Sequence, residues 1–344
     1  MDSMRRNLLK VGTAAAGALV ARSAVAQAHI LVPAPSNGRE ALRLVTFSPL
    51  PGTAPRVGMV TGQGMVVDVG AAARATNMTL SFDPSSMVSL IAVGPVAVAQ
   101  ARQCAAYDHG VSVNTVRLFP PIPVPVRNVY AVGWNYLEHF KESLTARADK
   151  AKLPAHPVFF TKDTHTVNGP FDPIPFNPAV STQIDWEGEL AVIIGKHGRN
   201  VPESEAMNYV FGYAVINDTT ARDIQQDHGG QWFKGKSLDG HGPIGPWIVP
   251  ASDIDYNDLN LTTRVNGVVK QHINTRQMYF KIPRLITELS LGLTLEPGDI
   301  IATGTPSGIG AARTPPEFLK PGDILETEID RIGTIRNEIQ LVNT

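Results

Sequence analysis

The stretch "DWEGELAVIIG", residues 185–195, governs how the rest of the chain is read, because it opens on acids and continues as an apolar run. Residues 190–194 are aliphatic throughout, the composition of a strand buried in a core. Side chains two apart on a strand share a face, so Glu187 and Glu189 point the same way with Gly188 between them. Two like charges on one face repel, and a divalent cation bound through oxygen is the usual remedy when they are buried. A third oxygen ligand is available at Asp218, which ends the apolar stretch "YVFGYAVIND", residues 209–218. Three carboxylates without clustered His or Cys favour Mg²⁺ or Mn²⁺ over zinc, with Ca²⁺ a further hard-ion alternative. The same spacing also fits two solvent-exposed acids at a strand edge, with Asp218 capping a following helix.

Bulk properties narrow the partner. With 43% hydrophobic and 18% charged residues, a chain of 344 buries a sizeable core and has room for two domains. A formal net charge of -1, without a Lys/Arg block, argues against nucleic acid or an anionic membrane surface and leaves a small molecule as the default partner. The single cysteine, Cys104, excludes an internal disulfide and a multi-cysteine metal site.

Residues 3–28, "SMRRNLLKVGTAAAGALVARSAVAQA", have a basic start, a short Ala/Gly-rich apolar stretch and small residues before a cut after Ala26 or Ala28. Arg5 and Arg6, followed by Asn7, Leu8 and Leu9, resemble the twin-arginine export signal, which implies a bacterial, periplasmic protein exported already folded. The apolar part is too short for a bilayer span of about 20 residues, so no membrane anchor is expected after processing.

The expected organisation is a signal segment over 1–28, a linker over 29–40, a small α+β domain over 41–120 and a larger domain over 121–344. In the smaller unit, "ALRLVTF" (41–47) and "RVGMVTGQGMVVDV" (56–69) read as strands, and residues 86–110 as helix with a Gly-Pro break. Proline alternating with apolar residues in "FPPIPVPVRNV", 119–129, forces extended backbone and marks the boundary. Beyond it strands dominate, ending in "DILETEIDRIGTIRNEI" (323–339), whose alternation predicts an antiparallel pair turning near 331–333. Helix is clearest at "IPRLITELSLG", 282–292. Strands this frequent, without a helix after each, predict an α+β fold built on a mixed β-sheet roll or sandwich.

Other segments carry chemistry. "GWNYLEHFKES", 133–143, sets His139 and Glu142 three apart, on one face of a helix, where a carboxylate orients an imidazole as general base. The polar residues 141–154 that follow fit a lid. "GKSLDGHGPIGPW", 235–247, presents Lys236 among glycines, suited to a substrate carboxylate or enolate. "ATGTPSGIG", 302–310, is a tight turn of the kind that lines an anion site with backbone N–H groups; it is neither a P-loop nor a nucleophile elbow.

Taken together, "GWNYLEH", "DWEGELAVIIG", "VINDTTARDIQ", "GKSLDGHGPIGP", "RVNGVVKQHINT" and "LEPGDIIATGTPSGIG" resemble the fumarylacetoacetate hydrolase family in order and spacing. The resemblance covers about 125–342, with 41–118 similar to the small N-terminal domain of two-domain bacterial members. It implies a mixed β roll, a homodimer, and a divalent metal on Glu187, Glu189 and Asp218. It further implies His139 with Glu142 as water-activating dyad, Lys236 as electrophilic anchor, and Arg222, Gln225, Lys162 and Thr305 at the metal site or substrate. Two departures stand out: Asp163 follows Lys162 where relatives often have proline, and His241 replaces an apolar residue, a change expected to alter the pocket. The implied substrates are 2-oxo and β-dicarbonyl acids. The leading expectation is hydrolytic C–C cleavage of an acylpyruvate or fumarylpyruvate-like acid. The alternatives are an isomerase, tautomerase or decarboxylase on the same site, or a periplasmic oxo-acid binding protein.

Overall fold

The computed structural model describes residues 30–34, 40–107, 109–147 and 152–342, without the side chains of 143–147. The expected export segment, residues 1–28, and part of the expected lid lie outside the described residues. Among the described residues no single helix is long and apolar enough to cross a membrane.

The stretch 185–195 supplies the strand Gly188–Ile194, buried at every residue. It is buried because each face meets a different core. Leu190, Val192 and Ile194 join one apolar cluster, while Ala191 and Ile193 join another. On the first side lie a second sheet, through Leu261, Ile329 and Ile335, and the helix Ile282–Ser290, through Leu285 and Ile286. On the second side lie the helices Met87–Val93 and Pro95–Gln103, through Leu90, Ile91, Ala97 and Ala101. Residues 190–194 are covered on both faces, which leaves no place there for polar side chains and accounts for the unbroken apolar run.

The central sheet has 12 strands. From one edge ten of them run in the order Val111–Ser112, Met65–Asp68, Arg56–Val60, Arg43–Ser48, Gly242–Pro250, Val210–Asn217, Gly188–Ile194, Ile300–Ala302, Val129–Gly133 and Val158–Lys162, while Arg117–Leu118 pairs with Arg43–Ser48 and Val167–Asn168 with Gly242–Pro250 off this path. Most pairs are antiparallel, but Ile300–Ala302 runs parallel to Val129–Gly133, so the sheet is mixed as expected. Residues 41–120 form a meander and three short α-helices, and their first strand joins the main sheet at Leu44 opposite Ile248. Gly94, at φ 71, separates two of those helices, and Pro95 opens the second. A second, five-stranded sheet stacks on the first and ends in the expected hairpin, Ile324–Ile329 with Gly333–Leu341, which turns through Arg331 at φ 63.

Register builds the site. The pairing of Gly188–Ile194 with Val210–Asn217 closes with Gly188 opposite Asn217, and the next step sets the Asp218 N–H 2.8 Å from the Glu187 carbonyl. Acids 31 residues apart in sequence thus become cross-strand neighbours. The second sheet comes close at Gly188: a Cβ there would stand 2.1 Å from Thr263 Oγ1 and 2.9 Å from Thr327 Cγ2.

Candidate metal and active site

One carboxylate oxygen from each of Glu187, Glu189 and Asp218 lies within 4.8 Å of the others, and all three residues are buried. This excludes the reading of exposed strand-edge acids. Asp218 caps no helix; it stands between the strand Val210–Asn217 and the short strand Thr220–Ala221.

Their surroundings are cationic. Lys236 Nζ sits 2.7 Å from Glu187 Oε2 and 2.7 Å from Asp218 Oδ2. Arg222 reaches Glu187 Oε1 at 2.6 Å and Asp185 Oδ2 at 2.8 Å, and Lys162 lies 2.7 Å from Asp218 Oδ1. Within this network four buried acids, Asp185 included, face three buried cations, which leaves one negative charge uncompensated. The excess rests on Glu189, whose Oε2 accepts a hydrogen bond from the Gly304 N–H at 2.7 Å. Burial, then repulsion from Asp218 and Glu187, pushes its carboxyl well above the usual range. Burial also opposes the charge on Glu187, but Lys236 and Arg222 outweigh it and hold that carboxyl down at about 2. An all-oxygen, net-negative, desolvated cluster is suited to a hard divalent cation, so the three acids fit the expected ligand set.

His139 and Glu142 occupy the helix Leu137–Arg147, with Nδ1 3.0 Å from Glu142 Oε1. Glu142 is held in turn by the backbone N–H of Gly308, at 2.9 and 3.1 Å from its two oxygens. His139 lines an open cavity together with Glu187, Arg222, Gln225, Lys236 and Thr305. The tertiary structure thus places six of the expected residues on one cavity.

Three expectations are corrected. Lys162, expected to contact substrate, is fully buried behind Asp218, where its Nζ donates to the carbonyls of Lys236 (2.5 Å) and Thr219 (3.3 Å). It neutralises the site from below and does not line the cavity. The 302–310 turn does present backbone N–H groups to anions, but the anions are the protein's own carboxylates: Gly304 serves Glu189, Gly308 serves Glu142, and Gly310 serves Asp185. His241 does not shape the cavity. It is buried, its Nε2–H donating to the Pro175 carbonyl at 2.8 Å while Nδ1 has no partner.

His241 yields a pH prediction. Burial, reinforced by the Lys162 charge, lowers its pKa to about 4. The unfolded chain therefore binds this proton from about pH 6.5 downward while the folded chain resists until about pH 4. Stability from this group is present above that window and lost as pH falls through it, by about 3 kcal/mol in all. Urea midpoints of His241→Gln should fall less steeply than wild type between those limits; parallel curves would contradict the assignment.

Sequence reasoning passed over Asp185 and Gln271. Asp185 accepts from Arg222 Nε, from Gly310 N–H at 2.7 Å and from Ala311 N–H at 3.0 Å, and so fixes the guanidinium that faces Glu187. Its signal was present, since residues 185, 187 and 189 alternate onto one face. Gln271 bridges the sheets: its Oε1 accepts from Gly188 N–H at 3.0 Å and its Nε2 donates to Thr305 Oγ1 at 2.8 Å. No pattern in the sequence marks it.

Comparison with known proteins agrees with this geometry. The family described as Fumarylacetoacetate (FAA) hydrolase C-terminal matches residues 128–340. The chain is 42% identical over 293 residues to oxaloacetate tautomerase YisK of Bacillus subtilis (strain 168), covering 82% of this chain and 95% of that one. It is 36% identical over 330 residues to the mitochondrial oxaloacetate tautomerase fahd2 of Xenopus laevis, covering 93% and 98%. The solved structure of maleylpyruvate hydrolase from Sphingobium sp. SYK-6, in complex with manganese(II) and pyruvate, superposes with a TM-score of 0.69 at 28% identity, over 88% of this chain and 100% of that one. The chain belongs to the fumarylacetoacetate hydrolase family.

Proposed function

We propose that the protein is a divalent-cation-dependent tautomerase that interconverts the enol and keto forms of a 2-oxo acid. The observation that carries this reading is the placement of one oriented imidazole, His139, on the same cavity as the three-carboxylate cluster. A cation on Glu187, Glu189 and Asp218, Mg²⁺ or Mn²⁺ by the hardness of the donors, would supply Lewis-acid polarisation of the 2-oxo group. The chain's own groups do the rest. Arg222, held by Asp185 and Glu187, and Lys236 offer N–H donors to the substrate carboxylate and to charge developing on the enol oxygen. The Nδ1–Glu142 hydrogen bond orients His139 and leaves Nε2 to move a proton between the carbon next to the 2-oxo group and the enol oxygen.

Tautomerisation takes precedence over the hydrolysis first expected, because two relatives that align over more than four fifths of the chain are named oxaloacetate tautomerases. Hydrolysis remains the second reading, favoured by the His139–Glu142 pair, which suits water activation as well. Membership in a family of enzymes sets aside the binding-protein alternative. Export of the folded protein through residues 1–28 to the periplasm and assembly as a homodimer complete the proposal, and rest on the sequence and the resemblance.

The test uses freshly dissolved enol forms of 2-oxo acids, whose ultraviolet absorbance decays on ketonisation, with Mg²⁺ or Mn²⁺ present. Ketonisation should be accelerated at least about 100-fold more than hydrolysis of an acylpyruvate, the scale of one acid–base step. Hydrolysis that equals or exceeds ketonisation would reverse the two readings.

A further inference from the structure

Beyond its charged end, the cavity carries an aromatic wall that the proposed chemistry does not use. Trp134, Phe160 and Trp232 line it. They meet edge to face: the Trp134 and Trp232 rings are 5.1 Å apart at 80°, and Trp232 and Phe160 are 5.2 Å apart at 73°. Phe140 extends the row behind Trp134, 5.8 Å away at 79°. The wall begins close to the polar end, since Lys236 Nζ, which touches Glu187 and Asp218, lies 5.2 Å from the Phe160 ring centre.

Two features show that the wall is built rather than incidental. Trp134 has φ 57, a left-handed conformation uncommon for a bulky residue and one that must be held by its surroundings. It is held by Asn135, whose side chain donates to the Thr303 carbonyl at 2.8 Å and accepts from the Phe280 N–H at 2.7 Å. Next to it, Gly133 leaves room for the Trp232 ring, because a Cβ on residue 133 would stand 2.3 Å from Trp232 Cζ3.

The charges point the same way. The lysine and arginine lining the cavity among the described residues are Lys236 and Arg222, and each already serves two carboxylates. A substrate group seated against Trp134, Phe160 and Trp232 meets aromatic rings, which suit an uncharged group better than a carboxylate.

We propose that the distal end of the substrate is an uncharged, flat group, aryl or alkenyl, seated against Trp134, Phe160 and Trp232. The assignment rests on the reading above that the 2-oxo-acid head lies at the carboxylate cluster. Such a group gains ring contacts that an aliphatic acid cannot make, enough for about a tenfold preference.

The experiment compares phenylpyruvate with oxaloacetate on the full-length, Mn²⁺-loaded protein, by ketonisation kcat/KM of the enols and by calorimetric Kd. Phenylpyruvate should be preferred at least about tenfold in both. Trp232→Leu should lose most of that preference, through phenylpyruvate alone. Trp134→Lys, which sets a cation in the wall, should turn the preference toward the diacid. Binding and turnover that favour oxaloacetate in the wild type overturn this assignment and leave the tautomerase reading standing. Preferential binding of phenylpyruvate without ketonisation of either acid overturns the tautomerase reading and supports the assignment. Should either variant misfold, as near-ultraviolet circular dichroism would show, the wild-type comparison still decides.

Discussion

Replacing Glu189 by glutamine is expected to abolish the stabilisation of the protein by Mn²⁺ while leaving the metal-free protein at least as stable as the wild type. A ligand that binds only the native state stabilises it by about 2.7 kcal/mol at a hundredfold excess over Kd, and the wild type should show a shift of that size. Glutamine keeps the shape of the side chain and an oxygen for the Gly304 N–H, which now approaches Glu189 Oε2 at 2.7 Å. It removes the one carboxylate that the surrounding cations leave uncompensated, and with it the third charged ligand. The metal-free comparison has a definite sign. Burial and the neighbouring acids raise the Glu189 pKa, so the folded protein gives up this proton at higher pH than the unfolded chain does. Stability therefore falls as pH rises above the ordinary carboxylate range, and the glutamine variant is spared that loss. Denaturant unfolding at neutral pH, with and without Mn²⁺, measures both effects. A glutamine variant that keeps the wild-type Mn²⁺ response would show that the three acids are not the ligand set.

The second large effect belongs to His139. His139→Ala should lower kcat for ketonisation by about 10² to 10⁴, the range of a positioned acid–base group, while its Mn²⁺ stabilisation stays at the wild-type value. Glu142→Gln should cost less, because the imidazole remains and loses only the carboxylate 3.0 Å from Nδ1 that selects its tautomer. The amide keeps an oxygen for the Gly308 N–H, now 2.9 Å from Glu142 Oε2, so the loop need not move. An alanine variant within about tenfold of wild type would assign the proton transfer elsewhere on the cavity, to Lys236 first. Loss of the Mn²⁺ response in that variant would instead show that the helix Leu137–Arg147 supports the metal cluster, a structural role rather than an acid–base one.

These predictions draw unequally on the two levels of description. The acidic cluster was legible in the chain because chemistry and periodicity coincide there: Glu187 and Glu189 alternate onto one face, and Asp218 ends a neighbouring apolar strand. The dyad was legible for a similar reason, since a separation of three residues on a helix sets His139 beside Glu142. The mixed sheet and the closing hairpin followed from strand frequency and alternation. Where local patterns were read as pointing outward, they misled. The 302–310 turn has the features of a ligand-binding nest, yet its N–H groups are taken up by Glu189, Glu142 and Asp185, acids 115 to 166 positions away. Lys162 was expected at the substrate and His241 in the pocket lining, and both are buried outside the cavity.

By itself, then, the sequence determined the fold class, the acidic cluster and the helical dyad, because each arises from short-range periodicity and residue chemistry. Only the tertiary structure decided how charge is balanced around the cluster, which residues face the cavity, and that Trp134, Phe160 and Trp232 share a wall. Those depend on strand register, which set Gly188 against Asn217, and on the packing of the second sheet at Gly188. Register and packing join residues far apart in the chain, and a long-range contact has no period to be read.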